Sequence, residues 1–148
     1  MSRLTILLLL LSILTGSCQS EDEAIVDRSA DTVILSSPPS AESDPFKLES
    51  VSREETTVTL VVRYSGGCED HQFRVYWDGV ATKSIPPQMV VNVYHDDRGD
   101  LCEAYPTDTV RFNVKELLGD RWNLKEEAVL IIRNAHDGET ISVTVGGD

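Results

Sequence analysis

The residues of this 148-residue chain whose types and spacing could do chemistry are two cysteines and two histidines. Cys68-Glu69-Asp70-His71 has the C-x2-H spacing of a metal knuckle, and His95 stands seven residues before Cys102. Two thiolates and two imidazoles suit a tetrahedral zinc site, or copper, so Cys68, His71, His95 and Cys102 form one candidate ligand set. The rival and leading reading pairs Cys68 with Cys102 in a disulfide. Such a bond would close a loop of about 35 residues and add roughly 3 to 4 kcal/mol of stability to a small domain. The two readings exclude each other, because oxidised sulfurs are poor ligands. In simple alternation His71 shares a face with Phe73 and His95 with Val93, so both imidazoles also fit the edge of a core.

Other constellations are weaker. Asp96-Asp97-Arg98-Gly99-Asp100 offers three carboxylates for calcium but lacks the spacing of the helix-loop-helix calcium motif, and a solvated turn is the simpler reading. Its Arg98-Gly99-Asp100 matches a tripeptide read by animal integrins, a match too short to carry weight. Glu69, Asp70 and Glu103 could supply a carboxylate pair, yet acidic loop residues in an acidic chain are ordinarily solvated. There is no glycine-rich phosphate loop and no G-x-S-x-G elbow, so the expectation is a protein without catalytic residues or a cofactor. Tyr76, Trp77, Tyr94, Tyr105 and Trp122 could form an aromatic platform for sugar or peptide. Trp77 follows the apolar alternation and reads as core, which leaves Tyr76 and Tyr94, on the opposite phase, as the better exposed pair.

The compartment follows from the N-terminus. Arg3, an apolar run from Leu4 to Leu14, and the small residues Thr15, Gly16 and Ser17 read as a secretory signal, too short for a stable transmembrane helix. The junction Thr15-Gly16-Ser17-Cys18 resembles the lipobox of bacterial lipoproteins, with Thr15 where leucine is usual and Leu14 one place further out. The resemblance implies cleavage before Cys18 and acylation of that cysteine. Acyl chains worth about 0.8 kcal/mol per buried methylene would anchor the mature chain to a membrane. The run Glu21-Asp22-Glu23 resembles the signal that sends some lipoproteins to the outer face of the outer membrane; it equally suits the start of a solvated linker. An oxidising envelope favours pairing of Cys68 and Cys102.

Net charge is -12, or -13 once Arg3 leaves with the leader, since 12 basic residues then face 25 acidic ones. That balance repels phosphate backbones, so nucleic acid is excluded as a partner, and membrane attachment must come from the lipid on Cys18.

Three segments are expected: a signal peptide at 1–17, a lipidated cysteine and disordered acidic, Ser- and Pro-rich tether at 18–44, and a β-sandwich domain at 45–148. Thr32 to Leu35 is an apolar patch that could add an edge strand, although the composition favours a linker. From Phe46 onward the pattern has period two. Val58, Leu60, Val62 and Tyr64 alternate in one strand; Phe73, Val75 and Trp77 in the next, up to an Asp78-Gly79 turn; Met89, Val91 and Val93 in a third. Val110, Phe112 and Val114 mark another strand, Lys115 to Trp122 a helical turn, Ala128 to Arg133 a central strand, and Ile141, Val143 and Val145 the last arm of a hairpin. About seven short strands at spacings near ten residues predict an all-β fold, a small antiparallel sandwich of immunoglobulin-like type, with a small β-barrel as the alternative. The expected function is a lipid-anchored cell-envelope protein, at the outer membrane and possible surface exposure, with a non-catalytic binding or structural domain for a protein or carbohydrate. The alternatives are a zinc- or copper-binding lipoprotein and a secreted inhibitor or enzyme accessory.

Overall fold

The computed structural model describes residues 29–121, 123 and 126–147, so the leader, Cys18, the acidic run after it and Trp122 lie outside the described residues. Among the described residues, eight strands form two facing sheets. They are β1 (Asp31–Leu35), β2 (Phe46–Glu54), β3 (Thr57–Tyr64), β4 (Gln72–Ala81), β5 (Gln88–Asp96), β6 (Thr107–Asn113), β7 (Ala128–Asn134) and β8 (Thr140–Val145). One sheet has the order β1-β4-β5-β7-β8 and the other β2-β3-β6, so the fold is a sandwich and the barrel alternative is set aside.

Period-two sequence gives the central strands one buried face each. Val58, Leu60, Val62 and Tyr64 of β3 are all buried, and they meet Phe73, Val75 and Trp77 of β4 and Met89, Val91 and Val93 of β5 across the core. Each such side chain contributes roughly 1.5–3 kcal/mol by leaving water. A short helix, α1 (Val114–Leu118), closes one end by burying Val114, Leu117 and Leu118. Asn113 caps it, its side-chain oxygen accepting from the Lys115 and Glu116 amides. The buried Asn134 side chain donates to the Phe46 carbonyl at 2.8 Å, tying β7 to β2. Among the described residues no helix is long and apolar enough to cross a membrane.

Three features differ from the sequence expectation. First, Asp31–Leu35 is not tether but an edge strand, pairing with β4 so that Ile34 lies beside Val75 and packs on the core. The ordered structure thus begins well before residue 45, anchored by the Ala30 amide on the Thr109 carbonyl of the opposite sheet. Second, the larger sheet is mixed: β1 with β4 and β5 with β7 run parallel, the remaining pairs antiparallel. Parallel pairing needs a crossover, and the one from β5 to β7 passes through β6 and α1. Third, Asp78-Gly79 is not the hairpin turn. The register shifts between Trp77 and Ala81, and Gly79, at φ 86°, sits under the Arg121 guanidinium, where a Cβ would collide. That irregularity lets β4 continue, and the turn falls instead around Pro86 and Pro87.

Candidate functional site

The residues singled out for chemistry converge at the end of the sandwich where β3, β4 and β5 meet two loops. Cys68 and Cys102 form a disulfide with a Cα–Cα distance of 6.0 Å, joining the loop before β4 to the loop after β5. Beneath it lies Asp100, whose side chain is 1% exposed. Gly66 and Gly67, both at positive φ, turn three successive amides toward it: Gly67, Cys68 and Glu69 donate to Asp100 Oδ2 at 2.7, 2.8 and 3.0 Å. The Cys102 amide donates to Oδ1 at 2.9 Å. These donors hold the Asp100 carboxyl well below the usual carboxylate range, the Cys102 amide contributing most and the Glu69 amide next.

The histidines continue inward from that carboxylate. His71 Nε2 lies 3.2 Å from Asp100 Oδ2, and His71 Nδ1 lies 2.8 Å from His95 Nε2. His95 Nδ1 faces the Pro45 carbonyl oxygen at 3.2 Å. The segment ahead of β2 is bound to the same strand by its backbone: the His95 amide donates to Ser43 Oγ, and the Asp44 amide donates to the His95 carbonyl. Aromatic rings pack the line on both sides. Tyr64 stacks on His71 at 4.3 Å between centroids, and Phe73 stacks on His95 at 4.6 Å. Burial is the first cause that lowers the His95 pKa, and the charge of His71 is the second, opposed by Asp44 and by the carbonyl oxygens nearby.

This arrangement corrects the four-ligand metal reading. The sulfurs of Cys68 and Cys102 are bonded to each other, and the nitrogens of His71 and His95 face each other, Asp100 and Pro45, so the four residues do not converge on a common point as ligands. The alternation that put both histidines on the apolar phase is what the structure has: His71 and His95 are buried. The calcium reading fails as well, because Asp100 turns inward. Asp96 and Asp97 accept from the Arg98 and Gly99 amides and stabilise the turn. For the same reason Arg98-Gly99-Asp100 is not displayed as a free tripeptide. Glu69, Asp70 and Glu103 are exposed loop residues. A hollow of about 450 Å³ beside this cluster is lined by Asp31, Tyr64, Asp70, His71, Arg98 and Asp108, with Tyr64 Oη donating to Asp108 at 3.1 Å. Nothing in the local sequence marks Asp100 as a buried acceptor; the signal that could have found it is the Gly66-Gly67 pair next to Cys68, which can present consecutive amides to an anion.

The second candidate is the outward face of the five-stranded sheet. Tyr76 and Tyr94, expected on the outer phase, are there and half-buried, while Trp77 is buried with Arg121 4.9 Å above its ring. Register places Leu35, Tyr76, Asn92 and Arg133 in one cross-strand row and Val33, Arg74 and Tyr94 in the next. Val90, Val129 and Ile131 extend the same face, each partly exposed. The outward face of β2-β3-β6 is more polar, carrying Lys47, Glu49, Thr59, Arg63, Thr109 and Arg111 around the half-buried Val61. Tyr105 lies apart from both faces, 57% exposed.

No protein-family model matches the chain, and no curated protein matches its sequence. Among solved structures, the chain is similar to a NigD-like immunity protein from Bacteroides caccae, with TM-score 0.51 and 15% identity over 78% of this chain and 59% of that one. It is similar to a putative toxin-related protein from Parabacteroides distasonis, with TM-score 0.54 and 12% identity over 80% and 62%. A protein of unknown function, DUF1344, from Bacteroides vulgatus aligns with TM-score 0.51 and 6% identity over 80% and 56%. The chain therefore spans less than two thirds of each of these structures, and at such identities the likeness establishes a shared small β-fold.

Proposed function

We propose that this chain is a lipid-anchored envelope protein, acylated on Cys18 and held by that lipid at the outer membrane, whose sandwich binds a protein partner without catalysis. The observation that carries the binding role is the contrast between the two outer faces. The five-stranded sheet presents Tyr76 and Tyr94 with Val33, Leu35, Val90, Val129 and Ile131 beside Arg74, Asn92 and Arg133, whereas the three-stranded sheet presents one aliphatic side chain, Val61, among threonines and charges. Tyrosine beside aliphatic side chains is the composition of interface cores, where large rings add contact area at little entropic cost. A non-catalytic role is supported by the buried polar groups: Asp100, His71 and His95 direct their polar atoms at one another and at the backbone. The names of two fold neighbours, an immunity protein and a toxin-related protein, favour a protein over a carbohydrate as partner.

The test is photo-crosslinking in intact cells from a reactive residue at position 76 or 94, with position 59 on the opposite face as control. Discrete adducts from 76 and 94 but not from 59 are expected; equal labelling from all three sites, or none, overturns the assignment. Incorporation of a labelled fatty acid into the protein, and its loss in Cys18→Ser, tests the anchor.

A further inference from the structure

The line Asp100–His71–His95–Pro45 has three contacts, and its hydrogens can be counted. Each end is an acceptor. Pro45 offers a carbonyl oxygen, and Asp100, whose oxygens accept four backbone N–H groups, is ionised. The middle contact, 2.8 Å between ring nitrogens, takes one N–H. Three contacts therefore take three ring hydrogens. Two neutral imidazoles carry two, and two imidazolium rings carry four, which would set N–H against N–H between the rings; one of each carries three. We propose that His71 and His95 hold one proton in common, balanced by Asp100, and that this shared proton latches the Ser43–Phe46 segment onto the sandwich.

The latch follows from which contact fails when the proton leaves. With two ring hydrogens left, His71 keeps its N–H on the Asp100 carboxylate, and its Nδ1 accepts from His95 Nε2–H. His95 Nδ1 then faces the Pro45 carbonyl as acceptor against acceptor, in a buried site where an unmet contact is costly. Pro45 is where the chain passes from β1 and its following loop into β2, so the proton controls how that segment is held. The charged and titratable neighbours fit this balance. Asp44, ahead of β2, favours the charged pair. Tyr64 of β3 stacks on His71 and binds Asp108 of β6. Glu69, Asp70, Asp31 and Arg98 line the hollow outside His71, and His136 of the β7–β8 turn contacts the Ser43 carbonyl at 2.9 Å.

The pair gives stability an optimum in pH. Below the ordinary imidazole value of about 6.5 the unfolded chain protonates both rings, while the folded pair, with His95 depressed by burial and by His71, resists the second proton. Stability falls as pH drops through that window. The three contacts need three ring hydrogens, so the proposed shared proton stays on the folded pair where the unfolded rings are neutral, above about 6.5, and stability then falls as pH rises. A difference of one proton changes the folding constant about tenfold per pH unit.

The experiment is imidazole ¹⁵N spectroscopy on the full-length protein at about pH 7.5, with His136→Gln to remove the third ring's signals. Three ring N–H groups from His71 and His95 together are expected, with coupling across the N–H···N contact; two neutral rings with two N–H groups overturn the proposal. Urea denaturation from about pH 5 to 9 reads the latch, with His95→Gln expected to flatten the alkaline limb. A folded His95→Gln protein that keeps the whole limb overturns the latch, and if that variant does not fold, the spectra of the native rings decide.

Discussion

At the scale of single residues, the site end depends on Gly66 and Asp100. A Cβ at Gly66 would lie 2.6 Å from the His71 ring and 2.9 Å from Asp100, at a backbone φ of 139° that is open to little besides glycine. Gly66→Ala is therefore expected to cost about 2–3 kcal/mol, combining backbone strain with displacement of His71, and chemical denaturation should show a lowered midpoint. Asp100 sets the acid limit. Its carboxyl is depressed when folded, so its contribution is present above the unfolded value of about 4 and is lost as pH falls through the folded value. Asp100→Asn should be less stable near neutrality and should lose part of the decline in stability that urea titrations are expected to show between about pH 4 and 2. A variant with an unchanged acid limb would show that the amides around Asp100 do not depress it. The pairing of Cys68 with Cys102 was legible because a chain whose leader predicts export, with two such cysteines, offers few other fates. Asp100 was not, because Asp-Asp-Arg-Gly-Asp has the composition of a solvated turn and nothing local says that its last carboxylate points inward.

At the scale of elements, alternation located β3, β5 and β7 because each has one face in the core and period two records that directly. It failed for β1. A five-residue strand whose outward positions Asp31 and Val33 are exposed has little apolar signal of its own, and it exists by parallel pairing with β4. Removing residues 29–44 should consequently destabilise the sandwich, through loss of Ile34 packing, of the Ala30–Thr109 bond and of the Ser43 and Asp44 bonds to His95. A loss of about 2 kcal/mol corresponds to a Tm lower by roughly 10 °C for a domain of this size. Calorimetry of proteins starting at 29 and at 45 compares the two directly; equal melting points would mean that β1 adds nothing. The Asp78-Gly79 dipeptide misled for a related reason: glycine at positive φ serves a bulge as well as a turn, and only the position of Arg121 over Gly79 and the bond from Trp77 Nε1 to the Val80 carbonyl separate the two.

At the scale of the whole molecule, two sheets share one core and the disulfide closes the end at which the polar line is buried. The bond spans 34 positions, so the double variant Cys68→Ala/Cys102→Ala should lose about 3–4 kcal/mol, read as a lowered urea midpoint, and unreduced protein should show no free thiol at either position. Retention of full stability in the double variant would assign the fold's rigidity at this end to Asp100 and the histidine pair alone. The sequence by itself determined the all-β class, most strand positions, the inward phase of His71 and His95, and the expectation of an exported, acylated chain, because period-two patterning, turn residues and a leader are local properties written in neighbouring positions. Only the tertiary structure decided that β1 joins β4 and β5 joins β7 in parallel, that Asp100 turns inward, and that the rings of His71 and His95 meet. Those contacts join residues 24 to 52 positions apart in the line from His71 to Ser43, and such pairings are fixed by how two sheets close over a common core, a condition that no short stretch of sequence contains.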